Sequence, residues 1–279
     1  MALKLFYITN RPDVALIAEK YGVDRIWIDL ETLGKEERQH GLNTVKSSHT
    51  IEDIKKIKPL LTSSEMLVRV NPWNEGSSEE INAVIEAGAD IIMLPMWKSA
   101  EEVQSFLSAV DGRAKTTLLL ETKEAVDCVD DVLKLDFDEI HIGLNDLHLS
   151  YGMTFMFELL ADGTVERLCN KFKMKGIPYG FGGIARLGKG ILPSDKIIME
   201  HYRLGSTRAI LSRSFCDINC CQDISEVEER FKSNIKPLRN HERFCTSADD
   251  SAFETNQAEV IDCVEKIVQA MREKDNYGA

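Results

Sequence analysis

The sequence has few aromatic residues, no long apolar run and a shortage of basic residues. Aromatic side chains make up 7% of 279 residues. No apolar run reaches the ~18 residues of a transmembrane helix, so we expect no membrane span. The sequence has 34 Lys and Arg residues and 46 Asp and Glu residues, which gives a formal net charge of −12. Such a surface repels phosphates, which argues against nucleic-acid or anionic-membrane binding but leaves room for a small cationic pocket.

A paired cysteine framework is also missing. The seven cysteines have no regular spacing, and an odd number cannot pair completely within one chain. This usage is typical of a reducing compartment and predicts a cytoplasmic protein. Cys216, Cys220 and Cys221 lie close together, but no second pair of Cys or His ligands matches them. We therefore expect plain thiols there.

Eight short apolar runs recur at intervals of one strand plus one helix. They are rich in Ile, Val and Leu, which is typical of parallel strands buried on both faces. The predicted strands are Leu3–Ile8, Ile26–Leu30, Met66–Val70, Ile91–Pro95, Thr116–Glu121, Glu139–Ile142, Ile177–Gly182 and Arg208–Leu211. Helical patterns separate them. The arrangement predicts an α/β fold, a (β/α)8 TIM barrel with a C-terminal helical extension. An open doubly wound sheet is the alternative.

The character of the chain changes near its C-terminal end. We predict a barrel domain over residues 1–236 and an extension over 237–279 that contains one amphipathic helix. Residues 240–255 are polar and are expected to be irregular. Apolar residues then recur at helical spacing: Val260, Ile261, Val264, Ile267, Val268 and Met271. This face is expected to cover the barrel bottom or to pack on a neighbouring subunit in a homo-oligomer.

The active site of a barrel lies at the carboxyl ends of its strands, where this sequence places acids and an arginine. Glu121 follows three leucines, and a buried charge there needs a partner or a metal. Asp146 follows the next strand. Two carboxylates with oxygen-only neighbours suit Mg²⁺ or Mn²⁺. Arg69 offers a fixed positive fork to a carboxylate or an oxyanion. The alternative is an Arg69–Glu121 salt bridge that closes the barrel top.

At these residues the sequence resembles the HpcH/HpaI aldolase and citrate lyase beta-subunit family, whose members are metal-dependent phosphoenolpyruvate/pyruvate-type barrels. The resemblance covers roughly residues 3–150. The matching stretches are Ile28–Glu31, Val68–Asn71, Gly88–Met96, Leu120–Val126 and Ile142–Leu147.

The resemblance implies a role for each matching residue. Glu121 and Asp146 resemble the metal-binding carboxylates, and Arg69 resembles the arginine that stabilises the enolate. The turn with Gly143 and Asn145 is expected to hold the substrate carboxylate. The Asp-x-Glu pair, Asp29 and Glu31, is likewise expected to bind substrate.

The resemblance further implies a carbon–carbon lyase of the aldolase type. It would act on a pyruvate- or oxaloacetate-like 2-keto acid through a metal-bound enolate, with Mg²⁺ or Mn²⁺ as cofactor and an aldehyde or thioester as partner. A lyase for acyl-CoA or another acyl thioester, of the citrate or malyl type, is one alternative. A non-catalytic barrel that binds a small acid is the other.

The sequence departs from the family at the residue after Asp-x-Glu. The aldolase branch has a histidine there that serves in proton transfer, whereas this chain has Thr32. Threonine is no general base near neutral pH. His40 and Lys35 lie in the loop that follows, and we take His40 as the candidate base.

A glycine-rich segment follows the seventh predicted strand. Residues 180–185 fit the pattern G-x-G-x-x-A, but no helix follows directly, which argues against a dinucleotide site. Arg186 and Lys189 in this loop either bind a phosphate or carboxylate group or are solvated cations.

Overall fold

Eight parallel strands form a closed barrel in sequence order, in the computed structural model that describes residues 2–34 and 48–277. Their bounds are β1 Lys4–Ile8, β2 Arg25–Asp29, β3 Glu65–Arg69, β4 Ile91–Leu94, β5 Lys115–Leu120, β6 Glu139–Ile142, β7 Tyr179–Ile184 and β8 Arg208–Leu211. The predicted (β/α)8 TIM barrel with a C-terminal helical extension is confirmed. The open sheet is excluded.

Twelve α-helices lie in the described residues. They are α1 Pro12–Lys20, α2 Ile51–Ile57, α3 Ser77–Glu86, α4 Ala100–Val110, α5 Lys123–Asp127, α6 Val129–Val132, α7 Leu144–Ser150, α8 Glu158–Ala161, α9 Thr164–Lys175, α10 Ser194–Arg203, α11 Ile224–Ser247 and α12 Asp250–Tyr277. Among these same residues, no helix is long and apolar enough to cross a membrane.

The two C-terminal helices differ from the sequence-based expectation. The prediction of an irregular segment over residues 240–255 was wrong, because α11 and α12 occupy nearly all of it. The predicted domain boundary after residue 236 falls inside α11, next to Pro237. Contacts within the chain group residues 6–140 into one compact unit, called here the first unit, and residues 1–5 and 141–279 into a second unit, while the predicted division after residue 236 stays a prediction.

The first unit has strands that are buried on both faces. Every residue of β2 and β4 is buried, which explains the apolar run Ile26–Ile28 in β2 and the wholly apolar sequence of β4. The register pairs Asp29 with Arg69, so the last residues of β2 and β3 are neighbours. At the opposite strand ends, the buried Arg25 donates to both carboxylate oxygens of Glu139, at 2.5 and 2.7 Å. That ion pair lies at the amino ends of the strands. Residues at this end of a TIM barrel contribute to stability, whereas the active site lies at the carboxyl ends.

In the second unit, α11 and α12 pack against neighbouring elements of their own chain. Glu242 of α11 is buried and accepts a hydrogen bond from the backbone N–H of Leu3 at 2.7 Å. On α12, Val260, Val264 and Val268 are buried, and the helix contacts α8 and α10. The predicted apolar face therefore has a partner within the chain, and homo-oligomer formation stays a prediction.

Candidate active site

Arg69 is held by two carboxylates at the carboxyl ends of β2 and β3. Its Nε donates to Asp29 Oδ1 at 2.8 Å, and its Nη2 donates to Asp29 Oδ2 at 2.9 Å. Its Nη1 lies 3.0 Å from Glu31 Oε2. The guanidinium also lies over the Trp27 ring, 5.3 Å from the centroid. Contacts from Nε, Nη1 and Nη2 thus orient the guanidinium of Arg69 before any substrate arrives.

The same carboxylates keep Arg69 charged. Burial alone would lower the pKa of Arg69, but the negative charges of Asp29, Glu31 and Glu121 raise it well above its usual range. The side chains of Asp29 and Glu31 are 6% and 1% exposed, so water screens these interactions little. The structure thus brings Asp29, Glu31 and Arg69 together as predicted neighbours. A direct contact of either acid with substrate stays a prediction.

Glu121 follows β5 directly and is buried. Its Oε1 accepts a hydrogen bond from the backbone N–H of Met96 at 3.1 Å. Met96 has a φ of +53°, a left-handed conformation that costs a non-glycine residue on the order of 1–3 kcal/mol. Such strain is concentrated at functional sites. The ion pairs described for Arg69 go to Asp29 and Glu31, and Glu121 acts on it through its charge.

These groups suit a divalent cation by charge and by ligand type. Three buried carboxylates, Asp29, Glu31 and Glu121, surround one guanidinium, so the cluster has a formal charge of −2. Carboxylate oxygens are the ligands that Mg²⁺ and Mn²⁺ prefer, and Mg²⁺ commonly takes one or two carboxylates with water and substrate oxygens. Over residues 2–34 and 48–277, no group of three or more His, Cys, Asp or Glu residues has a metal-binding arrangement.

The loop after β2 contains a histidine that the sequence reasoning missed. His49 Nδ1 accepts a hydrogen bond from the backbone N–H of Asp29 at 3.0 Å. Thr50, the next residue, precedes α2, and its backbone N–H donates to Asp53 Oδ2 at 2.8 Å. His49 is therefore anchored next to the Arg69 cluster. Its position was hidden because it depends on folding of the loop, although the Thr-x-x-Asp cap pattern was a signal for the helix start.

Thr32, which replaces the family histidine, is exposed. Its backbone N–H donates to Asn71 Oδ1 at 2.9 Å, and its hydroxyl lies 3.3 Å from the same oxygen. Asn71 Nδ2 in turn donates to Glu80 at 2.8 Å. Thr32 thus ties the end of β2 to the end of β3. His40, the predicted base, and Lys35 lie outside the described residues.

In the second unit, the segment after β6 forms the start of a helix rather than the predicted turn, and its role in substrate binding stays a prediction. Gly143 immediately precedes α7, and Asn145 and Asp146 lie in the first turn of that helix. Asn145 is exposed and Asp146 is half-buried. Leu144 is buried beside Gly182, where an added Cβ would lie 2.7 Å from the Leu144 side chain. The glycines of residues 180–185 thus serve close packing of strand β7.

A comparison with known protein families shows which family the chain belongs to. Residues 3–158, more than half of the sequence, match the family described as HpcH/HpaI aldolase/citrate lyase. The chain belongs to this family. It is accordingly a lyase-type enzyme of the aldolase/citrate lyase kind, and HpcH/HpaI proteins generally depend on a divalent metal. A comparison with curated proteins finds no match.

Solved structures of two HpcH/HpaI proteins and of a citrate synthase share the fold at low identity. An HpcH/HpaI aldolase from Desulfitobacterium hafniense DCB-2 has 14% identity and a TM-score of 0.59, over 85% of this chain and 93% of that one. A family protein from Burkholderia cenocepacia J2315 has 13% identity and a TM-score of 0.56, over 86% and 94%. The citrate synthase SbnG has 17% identity and a TM-score of 0.57, over 86% and 94%. These likenesses support the barrel fold.

Proposed function

We propose that this lyase is a divalent-metal-dependent, aldolase-type enzyme that makes or breaks a carbon–carbon bond next to a 2-keto acid. The substrate is pyruvate-like or oxaloacetate-like, and the electrophile is an aldehyde or a thioester. The observation that carries the proposal is the Arg69 guanidinium, held by Asp29 and Glu31 with the buried Glu121 close enough to raise its pKa.

Arg69 stabilises the negative charge that develops on the keto oxygen. Cleavage or formation of the bond places that charge on an enolate oxygen, and a preoriented cation at this point lowers the barrier. Asp29 and Glu31 are positioning residues in this account because they contact Arg69. Since Arg69 stays protonated over the working pH range, it acts electrostatically and transfers no proton.

Glu121 is the proposed metal ligand in the first unit. Asp146 is the second proposed ligand, an assignment that comes from the family resemblance. A bound Mg²⁺ or Mn²⁺ ion supplies Lewis-acid polarisation of the keto oxygen. The backbone N–H of Met96 donates to Glu121 Oε1 and so fixes the orientation of the carboxylate. Gly143 and Asn145 are proposed, again by resemblance, to hold the substrate carboxylate.

His49 is proposed as a hydrogen-bond donor beside this cluster rather than as the general base. Its Nδ1 accepts the Asp29 N–H, so a neutral ring carries its proton on Nε2. His40, which lies outside the described residues, stays the proposed base.

A cytoplasmic location and a homo-oligomeric state are further proposals. The seven cysteines are free thiols, in keeping with a reducing compartment. Sedimentation of the full chain and of a chain ended after residue 236 tests the oligomer. A single monomer mass for the full chain would contradict it.

The test of function is turnover by the metal-stripped protein resupplied with Mg²⁺ or Mn²⁺. We expect metal-dependent oxaloacetate decarboxylation, which passes through the same enolate as retro-aldol cleavage, and its loss in Glu121→Gln. A control variant, Glu265→Gln on the exposed face of α12, should retain wild-type turnover. If no divalent metal supports oxaloacetate decarboxylation or retro-aldol cleavage while oxalate still binds, the non-catalytic alternative holds.

A further inference from the structure

A second site is suggested by a cavity of about 470 Å³ in the second unit. Four cations contribute to its lining, Arg186, Lys189, Arg213 and Arg230, and we call it the cationic pocket. Among the lining residues that the structure describes, Asp217 is the one acid, and Arg230 forms an ion pair with Glu226, so a local surplus of two formal positive charges remains. The chain as a whole has a net charge of −12. Such a local reversal of sign attracts an anion of small-molecule size.

The barrel itself brings two of these cations together. Ile184 of β7 pairs with Leu211 of β8, and the Ser212 N–H donates to the Ile184 carbonyl at 2.9 Å. Arg186 and Arg213 each lie two residues beyond this pair, at the carboxyl ends of their strands. The loops after strands seven and eight are a frequent place for phosphate binding in TIM barrels.

The loop that presents Arg186 and Lys189 is held by its own hydrogen bonds. The Lys189 N–H donates to the Arg186 carbonyl at 3.0 Å, and the buried Ser194 hydroxyl donates to the same carbonyl at 2.8 Å. Gly190 has a φ of +105°, and an added Cβ would lie 2.6 Å from the Leu192 carbonyl oxygen. The loop is therefore ordered in a conformation that requires glycine. Because folding already fixes this conformation, a ligand does not have to supply the free energy of ordering the loop when it binds.

The charges of Arg186 and Lys189 are available to a ligand. Within residues 2–34 and 48–277, neither side chain has an ion-pair partner. Arg230 has a different role, since it donates to Glu226 at 2.6 Å and to the Cys220 carbonyl at 3.0 Å. Those contacts fix the position of Arg230 in the lining of the pocket.

We propose that the cationic pocket binds the phosphate group of a phosphorylated small molecule. A phosphate carries close to two negative charges and several acceptor oxygens, which match guanidinium forks and a lysine ammonium. A single carboxylate would leave much of the positive charge unmatched. The assignment of this molecule as the enzyme's own substrate or co-substrate rests on the proposed function, whereas phosphate binding does not.

Calorimetric titration of the full chain in chelator-treated, metal-free buffer tests the pocket. The probes are inorganic phosphate, glycerol 3-phosphate, adenosine 3′,5′-bisphosphate and, as a carboxylate comparison, succinate. We expect saturable binding of the phosphate probes that is weakened about tenfold or more by Arg186→Gln or Lys189→Gln. The tighter of the two organic phosphates identifies a small phosphorylated acceptor or a nucleotide-type carrier.

Matched controls are Arg243→Gln on α11 and Lys175→Gln on α9, both exposed. They should leave binding unchanged. Absence of phosphate binding, equal binding of succinate, or unchanged affinity in Arg186→Gln and Lys189→Gln would overturn the proposal. Because no metal is present in this titration, its result is independent of the decarboxylation assay. Phosphate binding without metal-dependent turnover would reject the proposed function and retain the pocket.

Discussion

The backbone N–H of Met96 donates to Glu121 Oε1 across 3.1 Å, from a residue whose φ is +53°. This bond joins the segment after β4 to the first residue after β5. A main-chain donor cannot swing away as a side chain can, so the orientation of Glu121 is fixed by the barrel. The strain at Met96 is the energetic cost of that orientation.

The Met96 contact predicts how Glu121 variants affect stability. Glu121→Gln keeps the acceptor oxygen and removes one negative charge from a cluster that has an excess of them. We expect its metal-free free energy of unfolding to be unchanged or raised by up to about 1 kcal/mol. Glu121→Ala leaves the Met96 N–H without this acceptor and should lose about 1–3 kcal/mol. Urea denaturation in a chelating buffer measures both, and equal losses in the two variants would contradict the account.

Arg69→Lys tests whether the fixed geometry of the Arg69 guanidinium matters in addition to its charge. Lysine keeps the charge but cannot bind Asp29 and Glu31 through three fixed donors, so the cation loses its orientation. We expect kcat to fall by about 10²-fold, the effect of removing one preoriented oxyanion donor. Arg243→Lys, on the surface of α11, is the matched control. Normal turnover in Arg69→Lys would remove Arg69 from the reaction.

His49 is expected to position the end of β2 through the Asp29 N–H. His49→Ala removes the acceptor, and we expect kcat to fall about tenfold with a smaller change in KM, since small misplacements of positioned groups are costly. His49→Asn places an amide oxygen near the position of Nδ1 and should restore most of the rate. Steady-state kinetics of the two variants make the comparison. Equal damage by Ala and Asn would show that the backbone contact is not what matters.

His201 predicts a pH dependence of stability in the second unit. It is fully buried, stacks on Phe181 at 3.9 Å and lies 2.8 Å from the Ser206 hydroxyl. Burial, and then the nearby His141, lower the pKa of His201 to about 3. In the unfolded chain the value is near 6.5. The unfolded state therefore binds the extra proton between these values, and stability falls as the pH drops from about 6.5 towards 3.

The measurable consequence is a change in how steeply the free energy of unfolding depends on pH. Between pH 4 and 6, the free energy of unfolding should rise with pH less steeply in His201→Gln than in the wild type, by about 1 kcal/mol per pH unit. His241→Gln, at a partly exposed histidine of α11, should keep the wild-type slope. Above pH 7 the wild-type contribution is constant. Parallel wild-type and His201→Gln curves would show that His201 takes up its proton in the folded state.

The strands were predictable because a parallel barrel strand is buried on both faces. The apolar run Ile26–Ile28 of β2 and the wholly apolar sequence of β4 carry that signal directly, and the observed bounds of both strands lie within about two residues of the predicted ones. Helix α11 was partly missed because its buried face is not uniformly apolar. Its buried stripe includes Glu242, a charged residue whose carboxylate accepts from Arg239, one turn earlier on the same helix, and from the backbone N–H of Leu3, at the other end of the chain. A local pattern cannot show such long-range partners.

The candidate site was predictable as a set of strand ends but not as a set of contacts. The register that pairs Asp29 with Arg69 follows from barrel topology, so their proximity could be expected. That Asp29 and Glu31 both contact Arg69 depends on side-chain conformations that spacing does not specify. His49 belongs to no motif, and its contact to Asp29 follows from the path of a loop.

Titration of the metal-stripped protein with Mn²⁺, followed by oxalate, tests the central claim most directly. Oxalate resembles the enolate of pyruvate in charge and shape. The account predicts Mn²⁺ binding, oxalate binding that requires Mn²⁺, and loss of both in Glu121→Gln with the fold retained. Absence of Mn²⁺ binding, or unchanged Mn²⁺ affinity in Glu121→Gln, would contradict it and leave Arg69, Asp29, Glu31 and Glu121 as a structural charge cluster.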